Sequence, residues 1–114
     1  MKTIEVSKAY GLALDWLVVT CANPTISTSV VTMNVTRGGY NPTTCWLLAG
    51  PIIAKERICL TIGHDGVWLA YSMQNYDDFK EFMYSGPTPL VAAMRCYVAS
   101  KLGATAKVPE RFAS

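Results

Sequence analysis

Two apolar runs, Arg57 to Ile62 and Val67 to Ser72, are joined by Gly63-His64-Asp65-Gly66. No other stretch restricts the fold of this chain as strongly. Short β-rich runs around an Asp-Gly pair predict an antiparallel hairpin, because the turn that suits the strand twist needs positive φ at its centre. The elements able to cover such a hairpin lie at the two ends of the chain.

Near the C-terminus, Gly86-Pro87-Thr88-Pro89 opens a helix, with Thr88 as N-cap and Pro89 at the first helical position, where a missing N–H costs nothing. Leu90, Met94, Tyr97, Val98 and Leu102 form its apolar face, and Gly103 stands where a left-handed C-terminal residue is wanted. At the other end, Lys2 to Val6 alternates polar and apolar residues as a half-buried strand does. Ser7 is then expected to cap a helix from Lys8 to Asn23, broad in its apolar arc and ended by Pro24.

Between these ends the pattern is less regular. Thr25 to Thr36 is rich in Thr, Ser and Val and predicts a strand, with Ile26, Thr28, Val30, Thr32 and Asn34 on one face. Arg37 to Pro42 reads as a glycine-dependent loop. Thr43 or Thr44 is expected to cap a short helix through Cys45, Trp46, Leu47 and Leu48, broken by Gly50-Pro51. Asp77 to Tyr84 suits either a helix or an ordered loop, and residues 104–114 suit an extended, partly mobile tail. The expected fold class is α+β: one domain over 1–114, with a small antiparallel sheet packed by an N-terminal and a C-terminal helix.

Composition narrows the classes of function. Ten basic and eight acidic residues give a net charge of +2 without any basic arm or stripe, which argues against DNA or RNA binding. The single histidine and the absence of Cys-x-x-Cys argue against a metal site or a cofactor held by such ligands. Cys21, Cys45, Cys59 and Cys96 sit in apolar runs and are expected to be reduced and mostly buried. Leu12 to Ala22 is apolar, but Asp15 interrupts it, no basic segment leads into it, and it is too short to span a bilayer. A cytoplasmic protein follows as the expectation. With 51% hydrophobic and 16% charged residues, the chain carries an apolar excess that hints at a subunit interface, hence a homo-oligomer.

Candidate chemistry is sparse. His64 is followed by Asp65, yet a turn tip is poorly suited to hold catalytic geometry. Asp77, Asp78 and Glu81 suit a solvated helix start, since the helix dipole favours acids there. Gly38-Gly39 lacks the spacing of a phosphate-cradling loop. No catalytic set emerges. Tyr40, Asn41, Thr43, Thr44 and Trp46 form the one segment where aromatic faces meet hydroxyl and amide groups before a helix, a combination suited to a nucleobase and its phosphate. Arg95, in an apolar helical stretch, is the candidate phosphate partner. The plainer alternative makes Trp46 core and pairs Arg95 with a carboxylate.

Tyr40-Asn41-Pro42-Thr43-Thr44-Cys45-Trp46, followed by Gly50-Pro51-Ile52-Ile53, resembles a motif of the NinX-like proteins of lambdoid phages. Gly86 to Gly103 is a second match, and Gly11-Leu12-Ala13-Leu14-Asp15-Trp16 is similar to the family's first helix. The chain departs from the motif at Cys45, Leu48 and Ala49, where the family has aspartate, glutamine and a second glycine. The resemblance implies a small phage accessory protein and carries no reaction. Such proteins commonly act on host functions, and several families sequester nucleotide-derived defence signals without catalysis. The expectation is therefore a non-enzymatic binder of a small nucleotide-like ligand. The alternatives are an adaptor that inhibits a host enzyme and a phosphodiesterase-like enzyme using Asp77, Asp78 or His64.

Overall fold

The computed structural model describes residues 1–72 and 83–113. In chain order the elements are β1 (Lys2–Glu5), α1 (Gly11–Ala22), α2 (Thr28–Thr36), α3 (Trp46–Glu56), β2 (Ile58–Ile62), β3 (Trp68–Ser72), β4 (Tyr84–Gly86), α4 (Pro89–Leu102) and β5 (Thr105–Val108). The fold is α+β, with two small antiparallel sheets, β1-β5 and β2-β3-β4, packed by the first and last helices.

The hairpin forms as its turn chemistry demands. Asp65 and Gly66 both take positive φ, 61° and 75°. Ile62 then faces Trp68 and Ile58 faces Ser72 across β2 and β3. A third strand, β4, extends this sheet where the sequence suggested only the approach to a helix. The segment Asp77 to Tyr84 falls largely outside the described residues, and so do Asp77, Asp78 and Glu81.

Helix α4 starts as expected: the Thr88 hydroxyl accepts from Val91 N–H at 3.2 Å, and Pro89 opens the first turn. It lies at the centre of the molecule, packed on the three-stranded sheet and against α1 and α3. Leu90, Ala92, Ala93, Met94, Cys96, Tyr97, Val98 and Ala99 are all buried. Leu102, expected on the apolar face, is instead 49% exposed in the last turn. Gly103 has the positive φ expected of it (94°), but with extended ψ (−166°), so it leads straight into a strand and not into a left-handed cap. That strand is β5. The predicted loose tail thus pairs with β1, burying Ala106 and Val108.

Three further expectations are corrected. The first helix begins at Gly11, not Lys8, and Ser7 sits in a preceding tight turn (Val6–Lys8) instead of capping it. Thr25 to Thr36 is not a strand: Ser27 accepts from Val30 N–H and α2 follows. The β-prone threonines are accommodated because the Thr32 and Thr36 hydroxyls donate to the carbonyls four residues back, at 2.8 and 2.7 Å. Val31 and Val35, one helical turn apart, are 1% and 0% exposed in the core. Burying each contributes about 1.5–3 kcal/mol, well above the few tenths of a kcal/mol per residue by which propensity opposes a helix.

The third correction concerns α3, which runs through Gly50-Pro51 to Glu56; Cys45, not Thr43 or Thr44, stands at its N-cap position. Pro51 cannot donate to the carbonyl of Leu47, but Leu47 is 83% exposed, so water can serve that carbonyl. Ala49 is fully buried, and Ile52 and Ile53 pack against the core, which holds the helix across the proline. Arg57, in the left-handed conformation (φ 53°), then turns the chain directly into β2.

The sheet meets α4 through Gly86. A Cβ there would lie 2.7 Å from the Ala92 nitrogen and 3.0 Å from Val91 Cγ1, so backbone, not a flexible side chain, stands in the way. Gly86→Ala is expected to lower stability by about 1–3 kcal/mol, read as a fall in denaturation midpoint with unchanged circular dichroism in buffer.

Candidate functional site

The segment from Tyr40 to Trp46 leads into α3, and its Tyr40 and Pro42 line a cleft with Val18 and Val19 of α1. Its shape is set by short bonds within it. Thr44 N–H donates to the Asn41 carbonyl at 3.0 Å, and Asn41 Nδ2 donates to Thr44 Oγ1 at 3.1 Å. These two residues brace one another, and the Asn41 side-chain carbonyl takes part in neither bond. Pro42 and Thr43 are buried beneath the loop, whereas Thr44 is exposed.

The loop is tied down by the acid that interrupts the apolar run from Leu12 to Ala22. Asp15, 4% exposed within α1, accepts from the Thr43 backbone N–H at 2.9 Å. Burial pushes the Asp15 carboxyl above its ordinary value of 3.8, opposed by the Thr43 N–H and hydroxyl, which favour the ionised form. A lone acid inside an apolar helical stripe was the available signal. Beside it, Trp16 Nε1 donates to Thr32 Oγ1 at 3.0 Å and joins α1 to α2.

The aromatic residues of the loop divide. Tyr40 is half-buried and forms one wall of a cleft of about 200 Å³, closed by Val18, Val19, Ala22, Pro42, Leu48 and Ile52. Trp46 is not core: it is 55% exposed on the first turn of α3, beside Leu47. Cys45 supplies no side-chain cap there; the Leu48 and Ala49 amides donate to its carbonyl at 3.2 and 3.0 Å, which leaves the Trp46 and Leu47 amides without an intrahelical partner.

Arg95 behaves differently from either sequence reading. Its Nε donates to the Ala9 carbonyl at 2.7 Å and its Nη1 to the Ser85 carbonyl at 2.8 Å. Neither acceptor is a carboxylate, and neither belongs to the loop. Burial lowers the pKa of the guanidinium, yet an arginine stays charged at any ordinary pH. Arg95 therefore clips α4 to β4 and to the entry of α1, and the structure does not join it to Tyr40, Asn41, Thr43, Thr44 or Trp46 by any of these bonds.

His64 is exposed at the hairpin tip. Among the described residues no three His, Cys, Asp or Glu side chains are grouped to hold a metal ion. None of the four cysteines is in a disulfide, but only Cys96 is fully buried; Cys21, Cys45 and Cys59 are half-buried. Burial pushes the thiols of Cys96 and Cys21 up to about 12 and about 11, which keeps both protonated and unreactive at neutral pH.

A larger cleft, about 440 Å³, lies between the entry of α1 and the C-terminal turn, where Tyr10, Leu12, Arg111 and Phe112 contribute. The Tyr40 cleft is the better candidate because of what the chain resembles. Residues 5–101 match the family model described as Bacteriophage P22, NinX. The chain belongs to this phage NinX family. The matched residues include the whole loop and α3 but stop short of Arg111 and Phe112. No curated protein sequence matches the chain. Among the described residues no helix is long and apolar enough to cross a membrane.

The raised value for Asp15 has a definite sign. The folded protein holds that proton more tightly than the unfolded chain, so the contribution is stabilising at low pH and is lost as pH rises through the folded value. Asp15→Asn keeps an acceptor for Thr43 and carries no charge. The melting temperature of the variant relative to wild type is expected to rise between about pH 4 and about pH 7. Asp15→Ala removes the acceptor and should destabilise the fold by about 1–3 kcal/mol at either pH.

Proposed function

We propose that this phage protein binds and sequesters a small nucleotide-derived host defence signal, without catalysis, at the Tyr40–Trp46 loop. The observation that carries this reading is the pairing of an apolar cleft walled by Tyr40 with the exposed indole of Trp46 at an uncapped helix start. The cleft, at about 200 Å³, is below the ~300 Å³ at which ligand pockets usually begin. It takes one ring, a nucleobase in this reading, and leaves the sugar and phosphate outside it. There the Trp46 and Leu47 amides at the start of α3 suit an anion, and Asn41 and Thr44 offer hydrogen bonds to hydroxyl groups. Arg95 is left out of the contact set because its hydrogen bonds serve the fold.

A second reading rests on a different feature of the same surface. Trp46 and Leu47 are adjacent, 55% and 83% exposed, and both apolar. A protein partner, such as a host enzyme inhibited by this adaptor, could cover them.

Thermal shift against cyclic dinucleotides and ADP-ribose derivatives separates the two readings. A sequestering protein is stabilised by its ligand and returns it intact after denaturation. Stacking contributes about 1–3 kcal/mol per base, so Tyr40→Ala and Trp46→Ala should each weaken binding by about tenfold to a hundredfold. Arg95→Ala should lower the melting temperature yet leave the affinity of the folded protein near that of wild type. If no nucleotide stabilises the wild type, the adaptor reading replaces this one, and recovery of cleaved products would make the protein an enzyme.

A further inference from the structure

Strand β2 stands at the edge of its sheet, with β3 as its one neighbour among the described residues. Gly63 N–H donates to the Val67 carbonyl at 2.6 Å, continuing the register that sets Ile62 opposite Trp68. In an antiparallel pair, hydrogen-bonded residue pairs alternate with non-bonded ones. Counting back from Gly63, Thr61 and Cys59 turn their backbone groups toward β3, and Ile62 and Leu60 turn theirs outward. Edge strands are ordinarily blunted by lysine, proline or a bulge. Ile58–Ile62 has no lysine or proline, and its register with β3 is unbroken. Of the two residues whose backbone groups turn outward, Leu60 is half-buried and Ile62 is 61% exposed, so the outer row opens to solvent at the Ile62 end.

We propose that β2 pairs antiparallel with β2 of a second copy of the chain, about a two-fold axis at Thr61. The segment is its own complement. Under that axis Leu60 faces the partner's Ile62, and each such pair exchanges two backbone hydrogen bonds. Thr61 faces the partner's Thr61 at the non-bonded position between them, where side chains lie closest and two threonines can hydrogen-bond. The same axis sets the head of each strand, where Arg57 lies, beside the end at which the partner's hairpin turn carries Asp65. Both are exposed, and neither takes part in a salt bridge among the described residues. This matching of charge at both ends, with an uncharged middle, selects a second copy over a foreign strand. The pairing merges two three-stranded sheets into one continuous sheet, and it does not rest on the ligand reading.

Sedimentation or light scattering over a concentration series tests the pairing on the full chain. Wild type is expected to pass from monomer to dimer as concentration rises. Thr61→Lys sets like charges face to face and should weaken dimerisation about fivefold or more, with the melting temperature at low concentration unchanged because Thr61 is exposed. Mixing Thr61→Lys with Thr61→Glu should restore a mixed dimer, and Thr61→Cys should form an inter-chain disulfide under mild oxidation. A wild type that stays monomeric at every concentration overturns the proposal. So does a dimer that Thr61→Lys leaves unchanged.

Discussion

Helix α4 is buried around nearly its whole circumference, and the rest of the molecule is arranged to permit this. Three elements can approach one helix closely only where side chains are small. Ala92, Ala93 and Ala99 are 0–2% exposed, and Ala70 and Gly86 are buried in the sheet beside the helix. Met94 and Val98, both fully buried, fill the remaining volume. An interior packed to crystal-like density tolerates few changes in side-chain size, which makes this centre the least adjustable part of the fold. Function falls to the elements laid around it.

Those elements are held in register by a few polar ties across long sequence separations. Arg95 reaches the Ala9 and Ser85 carbonyls, Asp15 holds the Thr43 amide, and Trp16 holds the Thr32 hydroxyl. Together they link the three segments that resemble the NinX motif, namely the first helix, the Tyr40 loop and the last helix. The loop is thus gripped from below at Thr43, while Thr44 and Trp46 stay open to solvent. A rigid base under an exposed aromatic and polar rim suits recognition of a ligand, because little order has to be imposed on binding. The same rigidity would serve a protein partner at Trp46 and Leu47.

The exposed apolar residues are spread over several elements. Trp46 and Leu47 open α3, whereas Ile62 ends the edge strand β2. A ligand at the loop and a second copy at the strand edge would use different chemistry: ring stacking and helix amides in one, backbone pairing in the other. The apolar excess of the composition is accounted for by neither alone.

The hairpin, the start of α4, strand β1 and the α+β class were legible because each depends on local chemistry: positive φ at Asp65-Gly66, the Thr88 cap with Pro89, and alternation from Lys2 onward. The loop from Tyr40 to Trp46 was likewise singled out by its composition, although the contacts of its members were not foreseeable. Tertiary structure decided the rest. It made Thr28–Thr36 a helix, carried α3 through Pro51, turned the tail into β5, set Trp46 in solvent and gave Arg95 two carbonyl partners. The reason is one of magnitude. Local preferences differ by a few tenths of a kcal/mol per residue, whereas burying Val31 or Val35, or satisfying a buried Asp15, is worth on the order of 1–3 kcal/mol. Sequence alone determined those features whose partners lie within a few residues, and packing decided those whose partners arrive from elsewhere in the chain.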